Sequence, residues 1–179
     1  MDAPLRTPAA RFVLTLLVLV LASPAAAQPH PESFEEPGYV DPSVAVALDR
    51  ARLAALKKLA RPRCHRLFAE FTNLERRSLE DVLAEQGETA EGHLRHMVFL
   101  DGSRISPCGM RDVYAFTNPG SLAVRLCANF RKLAFVNVAS VANILIHEML
   151  HSLGAGEAPT PGFPTAYEIT SRVESRCGT

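Results

Sequence analysis

The segment His147-Glu148-Met149-Leu150-His151 carries the clearest chemical potential in the sequence. In a helix, residues four apart project from the same face about one turn from each other. His147 and His151 can therefore each give a nitrogen atom to one zinc ion. Glu148 lies about 100° further round the helix, where it can take a proton from a metal-activated water without binding the metal. The spacing predicts metal-assisted hydrolysis.

Residues 147–154 (HEMLHSLG) resemble the active-site helix of the zincin metallopeptidases, and the H-E-x-x-H-x-x-G form is closest to the metzincin branch. In that branch the glycine, here Gly154, turns the chain sharply, and the third metal ligand follows three residues later. That position is Glu157 here, where metzincins usually carry His and occasionally Asp. From Ala115 onward the chain also resembles small secreted bacterial proteins of the metallopeptidase type. The resemblance implies a zincin-like fold, a Zn²⁺ cofactor and a peptide or protein substrate.

Three glutamates compete to be the third protein ligand of a zinc site. Glu157 has the metzincin spacing, and neighbouring glycines allow the chain to turn back towards the histidines. Glu168 belongs to the next predicted helix, as in the thermolysin-like branch, but residues 165–168 (TAYE) also form a capping-box pattern. Glu174 is more typical of a solvated helix charge. We favour Glu157 and keep Glu168 as the alternative.

The resemblance implies a mechanism in which zinc is held by His147, His151 and a carboxylate, with a fourth position for water. Glu148 would act as the general base and pass the water's proton to the leaving amine. Tyr167, or else Tyr114, is a candidate for stabilising the oxyanion. The alternative is a secreted metal-binding or interaction protein that keeps the zincin fold without turnover.

The elements that must position these residues are helices, short strands and then two more helices. This order predicts an α+β domain over residues 43–179 with a small, mostly antiparallel sheet. Helices are predicted over Ser43–Ala60, around Cys64–Phe71, from Ser78 to Gly87, at Thr89, over Ala139–Leu153 and over Thr165–Arg176. Strands are predicted at Met97–Leu100, Val113–Thr117 and Leu122–Cys127.

Other polar residues near these elements have weaker patterns. We expect His93 and His96, which precede the first strand, to lie at the surface. Asn143 lies about 40° from His147 on a helical wheel, but nothing identifies its role. By analogy with zincins, an extended peptide could pair with the strand Leu122–Cys127.

The composition excludes several classes of protein. The chain has 179 residues, of which 47% are apolar, and its 19 Lys and Arg balance 19 Asp and Glu. A disordered chain would be poorer in apolar residues. A nucleic-acid-binding protein would carry clustered positive charge, so we expect no nucleic-acid partner. The length predicts one domain, and the oligomeric state is not readable.

Residues 1–27 read as a cleaved secretory signal peptide. Arg6 and Arg11 precede the apolar run Phe12–Ala22, and small residues follow at 25–27. The run is shorter than the roughly 20 residues that a spanning helix needs, so no membrane association is expected after cleavage. Residues 28–42 are rich in Pro and Glu and read as an exposed leader. The prediction is a secreted or periplasmic protein.

Export makes disulfides the expected state of the four cysteines, Cys64, Cys108, Cys127 and Cys177. They include no C-x-x-C pair, which argues against a cysteine zinc site. Four cysteines allow three pairings, and we favour Cys64–Cys108 with Cys127–Cys177 because the second bond would tie down the end of the chain.

Overall fold

The structure is a computed structural model and describes residues 40–178. The predicted signal peptide and residues 28–39 of the predicted leader lie outside this range. The helices are α1 Pro42–Leu59, α2 Pro62–His65, α3 Leu67–Glu70, α4 Leu79–Gln86, α5 Ala90–His96, α6 Ala128–Ala134, α7 Val138–Ser152 and α8 Ala166–Cys177. The strands are β1 Val98–Asp101, β2 Ala115–Thr117 and β3 Ala123–Leu126, and a short 3₁₀ turn covers Ser106–Gly109. The predicted α+β class is confirmed. Within residues 40–178, no helix combines the length and the apolar character that crossing a membrane requires.

Local capping signals account for where several helices begin and end. Ser78 Oγ accepts a hydrogen bond from the amide of Asp81 at 3.1 Å, and Gly87 ends α4 in the left-handed conformation with φ of 66°. Asp41 caps α1 by accepting from the Ser43 amide at 2.9 Å, so the helix begins inside the predicted leader. The bounds of these helices therefore follow largely from nearby residues.

Two helical predictions need correction. The single helix expected around Cys64–Phe71 is two short helices, α2 and α3, which are separated at Arg66 although its backbone keeps right-handed helical angles, with φ of −59° and ψ of −17°. The helix α6 was not expected from the sequence. It has no side-chain cap, and its Phe130 and Ala134 are buried, so packing against α1 and α7 stabilises it rather than its own short sequence.

The helix α7 lies at the centre of the domain. It packs against α1, α6, α8 and β2, and α1 makes the most extensive of these contacts. One apolar arc of this helix is buried, and it consists of Val141, Ala142, Leu145, Ile146, Met149, Leu150 and, just past the helix end, Leu153. A helix buried on this arc has its remaining face free to border a cleft.

The sheet has three strands in the order β1-β3-β2. The β2–β3 pair is an antiparallel hairpin, and Gly120 in its turn has φ of 81°. β1 pairs with β3 in the parallel direction, from Val98 opposite Ala123 to Asp101 opposite Leu126. The expectation of a mostly antiparallel sheet is therefore wrong for one of the two pairings. The chain between β1 and β2 crosses to the far side of β3, which leaves β1 next to β3 and parallel to it.

Two disulfides join Cys64 to Cys177 and Cys108 to Cys127. The favoured pairing of Cys64 with Cys108 and of Cys127 with Cys177 is wrong. Cys64 lies in α2, which packs against α8 and its Cys177, whereas Cys108 lies in the 3₁₀ turn beside the end of β3. The pairing follows from these contacts, which separation along the sequence does not reveal.

Candidate metal centre

The two histidines of the motif lie on one face of α7, near its carboxyl end. Asn137 begins this helix by accepting a hydrogen bond from the Ser140 amide at 3.0 Å. Gly154 follows the helix with φ of 98°, a backbone conformation that residues other than glycine rarely adopt. The left-handed turn reverses the chain, so the loop after α7 passes back in front of the histidines.

Three side-chain atoms from α7 and this loop converge. His147 Nε2 lies 3.1 Å from His151 Nε2, and His151 Nε2 lies 3.1 Å from Glu157 Oε2. The third separation, between His147 Nε2 and Glu157 Oε2, is 3.7 Å. Among the described residues these three form a group whose donor atoms could hold a metal ion.

Both imidazoles are fixed from behind by their second nitrogen atom. His151 Nδ1 donates to the Ala155 carbonyl at 3.0 Å, so Nε2 is the atom turned towards the group. His147 Nδ1 lies 3.1 Å from the hydroxyl of Thr170 on α8. Metal-binding histidines are typically oriented by such outer contacts. Neither Thr170 nor the Ala155 carbonyl belongs to a sequence motif, so neither contact was predictable from the sequence.

The electrostatics of the group follow from this proximity. The imidazoles of His147 and His151 hold the pKa of Glu157 at about 2, against its ordinary 4.5. Burial lowers the pKa of His151, but the hydrogen bond with Glu157, the charge of Glu148 and the Ala155 carbonyl together raise it above its ordinary 6.5. The carboxylate therefore remains ionised next to the imidazoles over the whole physiological pH range.

Glu148 is buried, with only 5% of its surface exposed. Its Oε2 atom has no hydrogen-bond partner among the described residues, although it is shielded from solvent. A buried oxygen atom without a partner is costly in free energy, and Glu70 Oε2 and Thr117 Oγ1 share this condition among the described residues. Glu148 borders the same cleft as the two histidines and Glu157 but is not one of the three converging residues.

The cleft in front of the group has a volume of about 490 Å³. Its walls are largely apolar and include Leu74, Met110, Val113, Tyr114, Phe116 and Ile144. The edge strand β2 runs along it, with Ala115, Phe116 and Thr117 all contributing. The predicted pairing of a peptide with Leu122–Cys127 is wrong, because β3 already lies between β1 and β2.

The alternative ligands lie elsewhere. Glu168 Oε2 accepts from the Thr165 amide at 2.7 Å and from the Thr165 hydroxyl at 2.9 Å, which is the capping box that the sequence suggests. Glu174 is an exposed residue of α8. Tyr114 borders the cleft, whereas Tyr167 is 81% exposed and is not among the residues that line it.

The remaining polar candidates have other partners. His93 is buried, contrary to expectation, and its Nε2 lies 2.8 Å from Ser152 Oγ. His96 pairs with Glu88 at 2.6 Å and is exposed, as expected. Asn143 accepts a hydrogen bond from the buried Lys58 at 2.9 Å, so it joins α7 to α1.

The candidate centre thus takes its residues from α7, from the loop that follows and from α8. The sequence motif places the two histidines, and the fold brings Glu157 and Thr170 to them. No protein-family model, no curated protein and no solved structure matches this chain.

Proposed function

We propose that the protein is an exported zinc-dependent peptidase. The observation that carries the proposal is the convergence of His147 Nε2, His151 Nε2 and Glu157 Oε2 at separations of 3.1 to 3.7 Å. Ligands about 2.0–2.2 Å from a tetrahedral zinc ion lie roughly 3.3 Å from one another, so these separations suit such an ion.

The donor set also suits zinc chemically. Two imidazole nitrogens and one carboxylate oxygen are the protein ligands of several catalytic zinc sites, which keep a fourth position open. His147, His151 and Glu157 would hold the ion. When bound, zinc would supply Lewis acidity, which lowers the pKa of a water molecule and polarises a substrate carbonyl.

Glu148 supplies the base in this proposal. Its carboxylate is buried beside the histidines and keeps one oxygen atom without a hydrogen-bond partner in the described part of the chain. It can accept the proton of an attacking water and deliver it to the amine that leaves when a peptide bond breaks. A purely structural metal site has no use for such a carboxylate.

The cleft supports a peptide as the substrate. Its apolar walls suit side chains of a peptide, and the outer edge of β2 offers backbone groups along the same cleft. Tyr114 at the wall of the cleft is the better placed of the two tyrosines to donate a hydrogen bond to a developing oxyanion.

Export is the second part of the proposal. Two disulfides among the described residues suit an oxidising compartment, and residues 1–27 have the sequence features of a signal peptide. Expression in a bacterial host followed by intact-mass measurement should give a mature chain that begins at Gln28. A full-length chain retained inside the cell would contradict export.

The test of catalysis is Glu148→Gln, with zinc content measured alongside hydrolysis of a mixed peptide library. We expect zinc to be retained and hydrolysis to fall by about 10²–10⁴-fold, the usual contribution of a general base. Glu174→Gln, which removes an exposed carboxylate from α8, is the matched control and should leave both properties unchanged.

Two results would contradict the proposal in different ways. A wild-type protein that binds no zinc would show that the centre is not a zinc site. A wild-type protein that binds zinc stoichiometrically but cleaves nothing in the library would instead be a metal-binding or interaction protein without turnover.

A further inference from the structure

A short hairpin at residues 72–78 joins α3 to α4 and touches the loop that carries Glu157. Its two ends pair through an antiparallel bridge between Thr72 and Ser78. Inside it, Asn73 Oδ1 accepts a hydrogen bond from the Arg77 amide at 2.9 Å. The hairpin comes from the part of the sequence that resembles no family, and it carries no motif.

The first contact of the hairpin is with the turn after α7. Asn73 forms an antiparallel bridge with Ala155, and the Leu74 amide donates to the Gly154 carbonyl at 3.1 Å. Ala155 is also the residue whose carbonyl orients His151. The hairpin therefore binds the stretch of backbone that fixes one of the two histidines.

The second contact is made by the side chain of Arg76. Its guanidinium donates to the Gly162 carbonyl at 2.9 Å and to the Pro161 carbonyl at 3.1 Å. It also lies over the Phe163 ring, 4.0 Å from the ring centroid. One side chain thus holds three consecutive residues of the loop.

Phe163 connects Arg76 to the candidate ligand Glu157 through packing against Gly156. Its ring lies against Gly156, where an added Cβ would overlap with Phe163 Cδ1. Gly156 directly precedes Glu157. The contacts therefore run without a gap from Arg76 through Phe163 and Gly156 to the residue that faces the histidines.

The backbone of Arg76 is also unusual. Its φ is 66°, and no other non-glycine residue within 40–178 has a positive φ. The left-handed conformation costs free energy for a residue with a side chain, and such strain is kept where surrounding contacts require it. Glycine would relieve the strain here but could not reach the loop.

We propose that the hairpin 72–78 positions the metal ligands, and that Arg76 is a positioning residue that holds Glu157 at the distance needed for coordination. This inference rests on the proposed zinc site. It assigns to the amino-terminal half of the domain a role in the chemistry of the carboxyl-terminal half.

Three variants test the role of Arg76. Arg76→Gly removes the guanidinium and suits the left-handed backbone, so it should fold. Arg76→Lys keeps the charge but cannot reproduce the planar, two-carbonyl contact. Arg77→Gly is the matched control, because Arg77 is exposed, lies in the same hairpin and pairs with Glu85 instead of the loop.

For each variant, chelator competition measures the zinc affinity, and the visible spectrum of the Co²⁺ form reports the geometry around the metal. Hydrogen exchange of residues 155–163 is measured on the metal-free protein. Arg76→Gly should bind zinc about 10–100-fold more weakly, as is usual when outer contacts of ligands are lost. Its Co²⁺ spectrum should change, and its loop amides should exchange faster. Arg76→Lys should recover part of the affinity, and Arg77→Gly should match the wild type.

The results separate this inference from the proposed function. If the wild type binds no zinc, the proposed function fails and the positioning role fails with it. If the wild type binds zinc and Arg76→Gly binds it equally tightly, only the positioning role is overturned. Faster loop exchange without weaker zinc binding would also overturn it, because the contact would then be structural alone.

Discussion

The imidazole of His151 donates a hydrogen bond to the carbonyl of Ala155, over 3.0 Å, within the turn that ends α7. This bond fixes the hydrogen on Nδ1 and leaves Nε2 as the atom that faces Glu157. The orientation of one candidate ligand is therefore built into the same turn that returns the chain to supply another.

The identity of the third ligand can be decided by two matched substitutions. Glu157→Gln should weaken zinc binding at least about tenfold, because it removes the charge of a converging donor. Glu168→Gln should leave the affinity unchanged, since Gln can also complete the capping box with Thr165. Chelator competition measures both. Weaker binding in Glu168→Gln with normal binding in Glu157→Gln would reverse the assignment.

The pair formed by His151 and Glu157 should give the metal-free protein a characteristic pH dependence. The pKa of Glu157 is lowered to about 2, so its contribution is present above the ordinary 4.5 and is lost as the pH falls through 2. The pKa of His151 is raised, so its contribution is present below the ordinary 6.5 and is lost as the pH rises through the higher folded value.

Both contributions overlap between about pH 4.5 and 6.5, the ordinary values of the two groups. Denaturation with urea at a series of pH values should therefore show the largest difference between wild type and Glu157→Gln inside this window. A difference that stays constant from pH 3 to pH 9 would show that the two groups do not interact in the folded chain.

The buried contact between His93 and Ser152 joins α5 to α7. Ser152→Ala should destabilise the protein by about 1–3 kcal/mol, because His93 Nε2 would be left buried without its partner at 2.8 Å. Ser171→Ala, at an exposed position of α8, should stay within about 0.5 kcal/mol of the wild type. Equal free energies of unfolding for the two variants would rule out the contact.

The two disulfides should differ in their effect on stability. The bond Cys64–Cys177 closes a separation of 113 residues, and Cys108–Cys127 closes one of 19. Removing a native disulfide typically costs about 2–5 kcal/mol, with the larger loss expected for the longer loop. Replacement of each pair by alanine, followed by urea denaturation, measures this. A greater loss from the Cys108–Cys127 pair would contradict the expected order.

Features controlled by neighbouring residues were predictable from the sequence. The caps at Ser78 and Gly87 and the capping box at 165–168 involve contacts within a few residues. The amphipathic pattern of α7 likewise gave both the buried arc and the face that carries the histidines. Such contacts depend on residues a few positions apart, so they can be recognised from the local sequence pattern.

Features that depend on distant contacts were not predictable. The parallel direction of β1 against β3 and the pairing of Cys64 with Cys177 both follow from how elements pack after the chain has folded. The same holds for Thr170 beside His147 and for Arg76 on the Glu157 loop. Each of these contacts joins residues 23 or more positions apart, and no local pattern signals them.

The position of α8 at the carboxyl end of the domain affects the order in which contacts form in a newly made chain. This helix carries both Thr170, which contacts His147, and Cys177, which must meet Cys64. A chain emerges from the ribosome amino end first, so His147 appears before the helix that supplies its outer contact. A nascent chain that ends before α8 lacks Thr170, the outer contact of His147, whereas the Ala155 carbonyl that orients His151 is already present. The proposed zinc site would therefore be complete only after α8 has emerged and docked.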